Sequence, residues 1–421
     1  MGSCDIYNSE HEMKALIDCN NFFVSCERVF NPGLRDKPVA VLSSNDGCVI
    51  ARSNEVKELG VPMGAPLFKY RDLLNSNGVV VRSSNFALYT DMSRRVMATI
   101  HAQMPDMEVY SVDEAFVDVT GISNPAEWGV ELRDIVMRDT GIPVSIGIAS
   151  TRTLAKASAT IAKKQNGVMS FAGMSGMEID EHLSRLSSSD VWGIGRRMAR
   201  QFAQYRLLNA ADIRNMSDRL MRKFNVSTRR TILELRGIPV DTEQSSESKS
   251  MVSTRSFGSP VSDKAYLREA LCMHAMKLTT KLRRESLGTR MITAFISTGH
   301  QGEFLHASKG FPVATSNTQE VTRAVVELLD QIYHPGLMYK KAGVMAYKLT
   351  PVRAQQLAFG SDTSEMESSE KVDTVIDEVN EKWGPHALKL AAEGFNHSWQ
   401  PKHVLRSPRY TTEWSELKTV N

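Results

Sequence analysis

Short apolar runs, most of them bounded by charged or turn-forming residues, divide the first half of the chain into strand and helix candidates. Runs of this length are typical of buried strands, and they occur at 14–18, 39–42, 109–112, 116–119 and 144–148. Apolar positions three and four residues apart, typical of an amphipathic helix, occur at 90–103 and 125–138. Strands mixed with helices in this order predict an α+β domain.

The second half of the chain carries a separate pattern behind a polar segment. Residues 241–250, DTEQSSESKS, are rich in serine and charge and predict a linker. Residues 251–353 then predict the order strand, helix, strand, strand, helix, strand. A second polar and acidic run, GSDTSEMESSEK at 360–371, follows near the end of the chain. Together the two halves predict an α+β multidomain protein.

Composition narrows the class of protein. The 421 residues are 42% hydrophobic and 24% charged, which is ordinary for a soluble protein and sufficient for two or more domains. No stretch has the apolar length of a membrane helix, so no membrane partner is expected. Residues 1–12 lack the regions of a signal peptide and are interpreted as an extension ahead of an alternative start at Met13. The five cysteines show no metal-binding spacing, and a cytoplasmic protein with reduced thiols is expected.

The net charge of +3 conceals an uneven distribution of charge along the chain. Acidic side chains outnumber basic ones in 14–118 and 354–421, whereas basic side chains predominate in 186–240 and 251–353. A basic segment is by default a solvated surface. Two successive basic segments after an acidic one nevertheless suggest a protein that binds the phosphate backbone of a nucleic acid.

Two acidic clusters, far apart in the chain, are the main candidates for chemistry. Asp18 ends the first apolar run, and Asp113 and Glu114 stand between two later ones. Carboxylates are ligands that Mg²⁺ prefers, and two such ions about 3.5–4 Å apart can promote phosphoryl transfer. The alternative interpretation is that Asp18 caps a helix beginning near Asn20, while the acidic pair merely belongs to a hairpin.

The residues around these carboxylates resemble the signature segments of Y-family DNA polymerases, the lesion-bypass class. The two acidic segments are DCNNFFVSCE and YSVDEAF. Four further segments extend the resemblance: SSNDGCVIARSNEVKELGV at 43–61, SIGIASTRTLAKASATIAKKQNG at 145–167, DVWGIGRRMARQF at 190–202 and RSPRYTT at 406–412. Within the family, the set as a whole is similar to the UmuC group and spans nearly the whole chain from Met13 onward.

The resemblance implies a right-hand polymerase fold. Its expected parts are an N-terminal extension at 1–12, a palm at 13–36 and 88–185, fingers at 37–87, a helical thumb at 186–240, a linker at 241–250, a little finger at 251–353 and a C-terminal partner-binding tail at 354–421. The expected activity is template-directed, error-prone DNA synthesis past lesions in the bacterial SOS response.

The resemblance also assigns the catalytic centre. Asp18, Asp113 and Glu114 are expected to be catalytic metal ligands for two Mg²⁺ ions, with the backbone carbonyl of Cys19 as a further oxygen. Phe23 is expected to be the steric gate, the ring that leaves no room for a ribose 2′-hydroxyl. Its neighbour in NNFF, Phe22, is the more ordinary core aromatic.

Other nucleotide contacts are expected from the fingers and the palm. Ile50 would cover the nascent base pair, although Cys48 is close enough to compete for that role. Asn54, Lys57 and Lys164 would bind the triphosphate. Any single lysine among them has a simpler interpretation as a surface residue, and Arg52 is an extra cation nearby.

The remaining motifs concern DNA and protein partners. The GIG segment, with Gly193 and Gly195, resembles the hairpin of a helix-hairpin-helix motif, in which glycines let backbone N–H groups approach a DNA phosphate. Arg196 and Arg197 are expected at the start of the next helix, where an anion is favoured.

QQLAF at 355–359 loosely resembles the short clamp-binding peptide of related polymerases, and Gln355, Leu357 and Phe359 are the expected clamp contacts. The resemblance implies primer-template DNA, dNTP, a processed UmuD dimer, a RecA filament and the sliding clamp as partners.

Two other functions are weighed against this one. A noncatalytic DNA-bound scaffold that recruits the clamp and damage-response proteins would have no need of three clustered carboxylates. A nucleotide cyclase with a palm-like fold would share the carboxylates but has no use for two basic segments. The sequence therefore favours a DNA polymerase.

Overall fold

The structure, a computed structural model, describes residues 12–240, 249–299, 302–351, 363–384, 387–394 and 403–417. These residues form two compact units. The first contains 12–240 together with 404–417, and the second contains the described residues from 249 to 403. The segment 354–421, predicted as one tail, is thus divided in its described part between the two units.

The described chain contains twelve strands and fourteen α-helices. The strands are β1 (Lys14–Cys19), β2 (Val39–Leu42), β3 (Val49–Arg52), β4 (Val80–Ser83), β5 (Met107–Val109), β6 (Glu114–Asp118), β7 (Val144–Ala149), β8 (Val168–Ser170), β9 (Ser250–Val261), β10 (Leu287–Ser297), β11 (Phe304–Thr315) and β12 (Tyr339–Pro351). The helices are α1 (Phe22–Phe30), α2 (Asn54–Glu58), α3 (Leu67–Ser76), α4 (Phe86–Gln103), α5 (Pro125–Thr140), α6 (Arg152–Ala162), α7 (Gly176–Ser184), α8 (Arg196–Gln204), α9 (Ala210–Arg214), α10 (Asp218–Met221), α11 (Val226–Leu235), α12 (Lys264–Arg284), α13 (Thr318–Ile332) and α14 (Thr363–Trp383).

The first unit is built around a five-stranded sheet in the order β5-β6-β1-β7-β8. Successive side chains of a strand point to opposite faces of the sheet, and those of the central strand β1 are buried on both faces. Ala15 and Ile17 join a core with α1, α4 and α5, whereas Leu16 joins a second core with α6 and the helices beyond it. The apolar run that predicted β1 therefore reflects burial on two sides.

Helix α6 packs directly against β7, and this contact requires glycine at position 147. A Cβ on Gly147 would lie 2.0 Å from the backbone nitrogen of Ala159 and 2.2 Å from the carbonyl oxygen of Ala155. Contacts this short are impossible, so only glycine permits the approach. The packing brings one face of α6 close to the end of β1.

The turn between β5 and β6 corrects one predicted strand. The strand expected at 109–112 is wrong, because β5 ends at Val109 and the chain turns at 110–113. The backbone N–H groups of Tyr110 and Ser111 both donate to the carbonyl of Glu114, at 3.0 and 3.1 Å, and close the turn. Asp113 is consequently a turn residue and Glu114 the first residue of β6.

A three-stranded sheet, in the order β3-β2-β4, follows β1 and α1 in the chain. Strand β2 pairs antiparallel with β3 and parallel with β4. Apolar side chains from these strands and from α2 and α3 form a small separate core. This sheet carries the predicted finger residues.

The second unit has a four-stranded antiparallel sheet in the order β11-β10-β12-β9. Helices α12 and α13 contribute to one apolar core with it. The predicted order strand, helix, strand, strand, helix, strand is confirmed. Helix α14 is tied to α12 through Arg283, which forms ion pairs with Asp373 and Asp377. Among all the helices described, none has the length and apolar character needed to cross a membrane.

Candidate active site

Carboxylates from neighbouring strands meet at one end of the five-stranded sheet. Asp18 is paired in register with Glu114 of β6 on one side and with Ser145 of β7 on the other. The backbone N–H of Cys19 donates to the carbonyl of Asp113 at 2.9 Å and fixes the β5–β6 turn against the end of β1. Asp18 is therefore a strand residue and not a helix cap, and the fold places Glu114 beside it and Asp113 at the same end of the sheet.

Asp113 is held by its own turn. Its Oδ1 accepts a 2.6 Å hydrogen bond from the hydroxyl of Ser111, and its backbone N–H donates to the same hydroxyl oxygen at 3.3 Å. These two bonds fix the side chain within the β5–β6 turn. The sequence suggested the carboxylate but gave no indication of the serine that orients it.

Helix α6 and the residue that follows it supply two lysines to the acidic pair. Nζ of Lys156 donates to Oε2 of Glu114 at 2.7 Å. Nζ of Lys163 donates to Oδ2 of Asp18, also at 2.7 Å. Each carboxylate thus has its own ammonium partner, and both ammonium groups come from one helix face.

Lys163 is a site residue that the sequence prediction missed. The prediction selected Lys164 from the doublet, whereas the structure places the neighbouring lysine against Asp18. Lys156 and Lys163 are seven residues apart, which is about two helical turns, so they share a face. That spacing is the signal that could have identified Lys163, and a phosphate contact for Lys164 stays a prediction.

Lys156 is further held by aromatic rings. Its Nζ lies 5.2 Å from the ring centroids of both Tyr110 and Trp192. Those two rings meet edge to face, with their centroids 5.4 Å apart. Cation–π attraction of this kind fixes the ammonium group beside Glu114. Trp192 belongs to the VWGIG segment, so that motif also contacts the acidic site.

The electrostatics of the site are those of a buried carboxylate beside another acid. Asp18 is only 7% exposed. Burial raises its pKa to about 6, and the nearby Glu114 acts in the same direction, whereas Lys163 opposes the rise. For Lys57 of α2, burial and the nearby cations Lys163 and Arg52 lower the pKa of the ammonium group. Charges of both signs are concentrated in a small volume.

The oxygen donors fit a hard divalent cation, although the described residues contain no group of three His, Cys, Asp or Glu side chains close enough to hold one. Asp18 and Glu114 are adjacent across the strands, and each is neutralised by an ammonium group. An acidic pair with one buried and one partly buried member needs positive charge, which Mg²⁺ can supply in place of lysine. The carbonyl of Cys19 as a ligand stays a prediction.

Phe23 projects from the first turn of α1 and stacks on Tyr89 of α4. The two rings are nearly parallel, with centroids 4.5 Å apart and an interplanar angle of 13°. Phe86 meets both rings edge-on. Phe22, by contrast, is 3% exposed and belongs to the core, as predicted.

The predicted phosphate-binding residues of α2 are joined to the start of α1. Lys57 Nζ donates to Oδ1 of Asn21 at 2.6 Å, and Asn21 Nδ2 donates to Oδ1 of Asn54 at 3.0 Å. Asn21, in the left-handed region with φ 47°, was not predicted as a site residue. Ile50 of β3 is half-buried and packs against the large core of the first unit.

The GIG segment precedes α8 in the helical part of the first unit. Gly193 has φ +83°, and a Cβ on it would lie 2.8 Å from Oγ1 of Thr231, so glycine is required there. Gly195 is the N-cap of α8, and Arg196 and Arg197 are exposed in the first turn of that helix. The predicted clamp residues Gln355, Leu357 and Phe359 lie outside the described residues.

Comparison with known proteins agrees with this architecture. Residues 17–160 match the model of the impB/mucB/samB family, and 248–359 match the C-terminal domain model of the same family. Residues 370–420 match a domain of unknown function, DUF4113. The fold is similar to that of a Y-family DNA polymerase chimera of Dbh and Dpo4, with a TM-score of 0.63 and 21% identity over 80% of this chain and 98% of the chimera.

Curated relatives cover the chain almost completely. It is 38% identical to protein UmuC of Salmonella typhimurium over 97% of this chain and 100% of the relative. It is 34% identical to protein MucB of Escherichia coli over 96% of this chain and 99% of the relative. DNA polymerase IV of Picrophilus torridus is 30% identical over 48% of this chain and 59% of the relative. The chain therefore belongs to the UmuC group of the Y-family DNA polymerases.

Proposed function

We propose that this protein is an error-prone translesion DNA polymerase that adds a dNTP to a primer 3′-hydroxyl under the direction of a template. The observation that carries the proposal is the pairing of Asp18 with Glu114 across β1 and β6, beside the Asp113 turn. Asp18 is buried and Glu114 is partly buried, and placing two acids together in this way is costly for a protein unless the charge has a use.

Asp18, Asp113 and Glu114 would hold Mg²⁺, with the Cys19 carbonyl as a further oxygen. Bound Mg²⁺ would polarise the phosphoryl group and favour the ionised form of the primer hydroxyl. The primer oxygen bonds to the α-phosphorus while the bond to pyrophosphate breaks. The lysines beside the acids carry positive charge that can offset the triphosphate of the incoming nucleotide.

The aromatic and finger residues have separate roles in this proposal. Phe23, fixed against Tyr89, would lie under the sugar and exclude a ribonucleotide. Asn54 and Lys57, joined through Asn21, would bind the phosphates, with Lys164 as a further candidate. Ile50 would cover the base pair.

The protein would bind DNA through contacts with the phosphate backbone. The GIG segment and the exposed arginines of α8 suit phosphate contacts that do not read sequence. The second unit would serve as the little finger, and the match of 248–359 to the family's C-terminal domain model supports this role. Full-length similarity to UmuC also supports a role in the SOS response with a processed UmuD dimer, a RecA filament and the sliding clamp as partners.

Primer extension by the purified protein tests the proposal. Measurements should be made with Mg²⁺ and dNTP, with and without the partner proteins. The Asp113→Ala variant should lose at least about a hundredfold in incorporation, because one stabilising group at a reacting centre is worth that much. Its affinity for primer-template DNA, measured by fluorescence anisotropy, should be nearly unchanged.

Asp106→Ala is the matched control, since it makes the same change at an exposed aspartate just before the same hairpin. It should extend primers like the wild type. DNA binding without any incorporation, in the wild type and with every partner present, would favour the noncatalytic scaffold instead.

A further inference from the structure

The last described segment of the chain, the C-terminal strap (residues 404–417), lies on the first unit. The backbone N–H of Ser83 at the end of β4 donates to the carbonyl of Leu405 at 3.1 Å, and the N–H of Leu405 donates to Oγ of Ser83 at 2.9 Å. Ser83 and Arg406 form a parallel bridge. The strap therefore continues the three-stranded sheet at its β4 edge.

A buried polar cluster fixes the strap to α1 and α4. The hydroxyl of Ser407 donates to Oε1 of Glu27 at 2.9 Å, and the hydroxyl of Tyr89 donates to the same oxygen at 2.7 Å. Asn85 Nδ2 donates to the carbonyls of Ser407 and Pro408, at 3.0 and 3.1 Å. All these side chains except that of Pro408 are at most 7% exposed.

The carboxyl group of Glu27 is the centre of this cluster, because it accepts hydrogen bonds from both Tyr89 and Ser407. Glu27 is 2% exposed, and burial raises its pKa, while its hydrogen bonds to Tyr89 and Ser407 oppose that rise. Two donors that converge on one carboxylate oxygen are coupled, because the loss of either leaves the acid less well satisfied. Ser407 and Tyr89 are therefore linked through Glu27.

The cluster ends at the ring that stacks on the steric gate. Tyr89 presents its hydroxyl to Glu27 and its ring face to Phe23, with centroids 4.5 Å apart. The hydrogen bond limits rotation and translation of the tyrosine ring in its plane. The position of the Phe23 ring thus depends on a contact made by the far end of the chain.

We propose that the C-terminal strap sets the sugar selectivity of the polymerase by positioning Phe23 through Ser407, Glu27 and Tyr89. The proposal rests on the proposed function, in which Phe23 is the steric gate. Ser407, Glu27 and Tyr89 are positioning residues, since none of them is placed against the nucleotide. The strap belongs to the matched domain of unknown function, and this gives that segment a role in substrate choice.

The test compares kcat/KM for a dNTP and for the matching rNTP in single-nucleotide incorporation, well below the melting temperature. Ser407→Ala and Tyr89→Phe remove only the hydroxyl groups. Each should lower the dNTP/rNTP ratio by about tenfold, the effect of one hydrogen bond to a charged group. The change should come from faster rNTP use, with kcat/KM for the dNTP nearly constant. A merely structural role would lower both.

Ser415→Ala is the matched control, because it makes the same change on the same strap at an exposed serine bonded to Glu413. It should keep the wild-type ratio. Phe23→Ala is the reference for complete loss of the gate. If Phe23→Ala abolishes discrimination while Ser407→Ala and Tyr89→Phe do not alter it, the gate stands and the role of the strap is overturned. If Phe23→Ala also has no effect, the gate assignment itself has failed, and the inference with it.

A second measurement does not depend on catalysis. Urea unfolding of Ser407→Ala, Tyr89→Phe and the double variant forms a thermodynamic cycle. The two substitutions should be non-additive because they share one oxygen of Glu27. Additive effects would overturn the coupling between the strap and Tyr89 whether or not the protein polymerises DNA.

Discussion

Replacing His274 by asparagine should remove much of the acid sensitivity of the second unit. His274 lies on α12 and is 2% exposed. Its Nδ1 is 3.0 Å from the hydroxyl oxygen of Ser253, and its Nε2 has no partner among the described residues. The imidazole is therefore enclosed, and among the described residues it makes one hydrogen bond, to Ser253.

Burial lowers the pKa of His274 from 6.5 to about 3, and three cations add to the effect. They are Lys277, Arg255 and Lys281. Below pH 6.5 the unfolded chain binds a proton at this histidine, whereas the folded unit does not until about pH 3. The stability contributed by the neutral ring is thus complete above pH 6.5 and is lost as the pH falls through that window.

The size of the loss follows from the width of the window. Each pH unit between the two pKa values costs about 1.4 kcal/mol. Lowering the pH from 7.5 to 5 crosses about 1.5 units of the window, so the wild type should lose about 2 kcal/mol through His274 alone.

Urea unfolding followed by circular dichroism at both pH values measures this loss. His274→Asn retains a polar group for Ser253 but does not titrate, so relative to it the wild type should lose about 2 kcal/mol more on acidification. His306→Asn, an exposed position in β11 of the same unit, should follow the wild type. Parallel pH profiles for the wild type and His274→Asn would refute the reasoning.

Three further outcomes are expected. Lys163→Ala should reduce incorporation by about tenfold or more, because its ammonium group is bonded to Asp18; steady-state kinetics beside Lys164→Ala measure what each lysine of the doublet contributes, and an unchanged rate in Lys163→Ala would contradict its place in the site. Charge reversal of Arg196–Arg197 should weaken DNA binding equally for different sequences and flatten its salt dependence, and a sequence-selective loss would contradict backbone contact. Replacing Leu357 and Phe359 by alanine should abolish stimulation of synthesis by the sliding clamp, because two apolar contacts are lost. The melting temperature and the extension without the clamp should stay unchanged. A fall in melting temperature would instead show that these residues pack within the protein.

The sequence predicted strands most accurately where consecutive residues of a strand are buried. Strands β1, β2 and β7 are apolar because they lie inside the first unit, so short apolar runs located them. The element order of the second unit was predicted for the same reason. The hairpin was harder to predict, because Tyr110 and Val112 are typical strand residues. In the structure the N–H groups of Tyr110 and Ser111 donate to the Glu114 carbonyl and close a turn.

Contacts between residues far apart in the chain could not be predicted from local sequence patterns. Nothing in the spacing of aromatic residues indicates that Phe23 stacks on Tyr89 rather than on its neighbour Phe22. The strap is a stronger case, since Ser407 reaches Glu27 across almost the whole length of the chain. The RSPRYTT motif marked the segment, but only the fold shows what it touches.

The two lysines beside the acids show how a local rule and a long-range contact must be combined. Helical periodicity alone places Lys156 and Lys163 on one face, and it says nothing about what that face meets. Gly147 permits the close approach of α6 to β7, and in that packing the two lysines contact Glu114 and Asp18. A bulkier residue at 147 should therefore displace α6 and lower the rate of primer extension without changing any charged group.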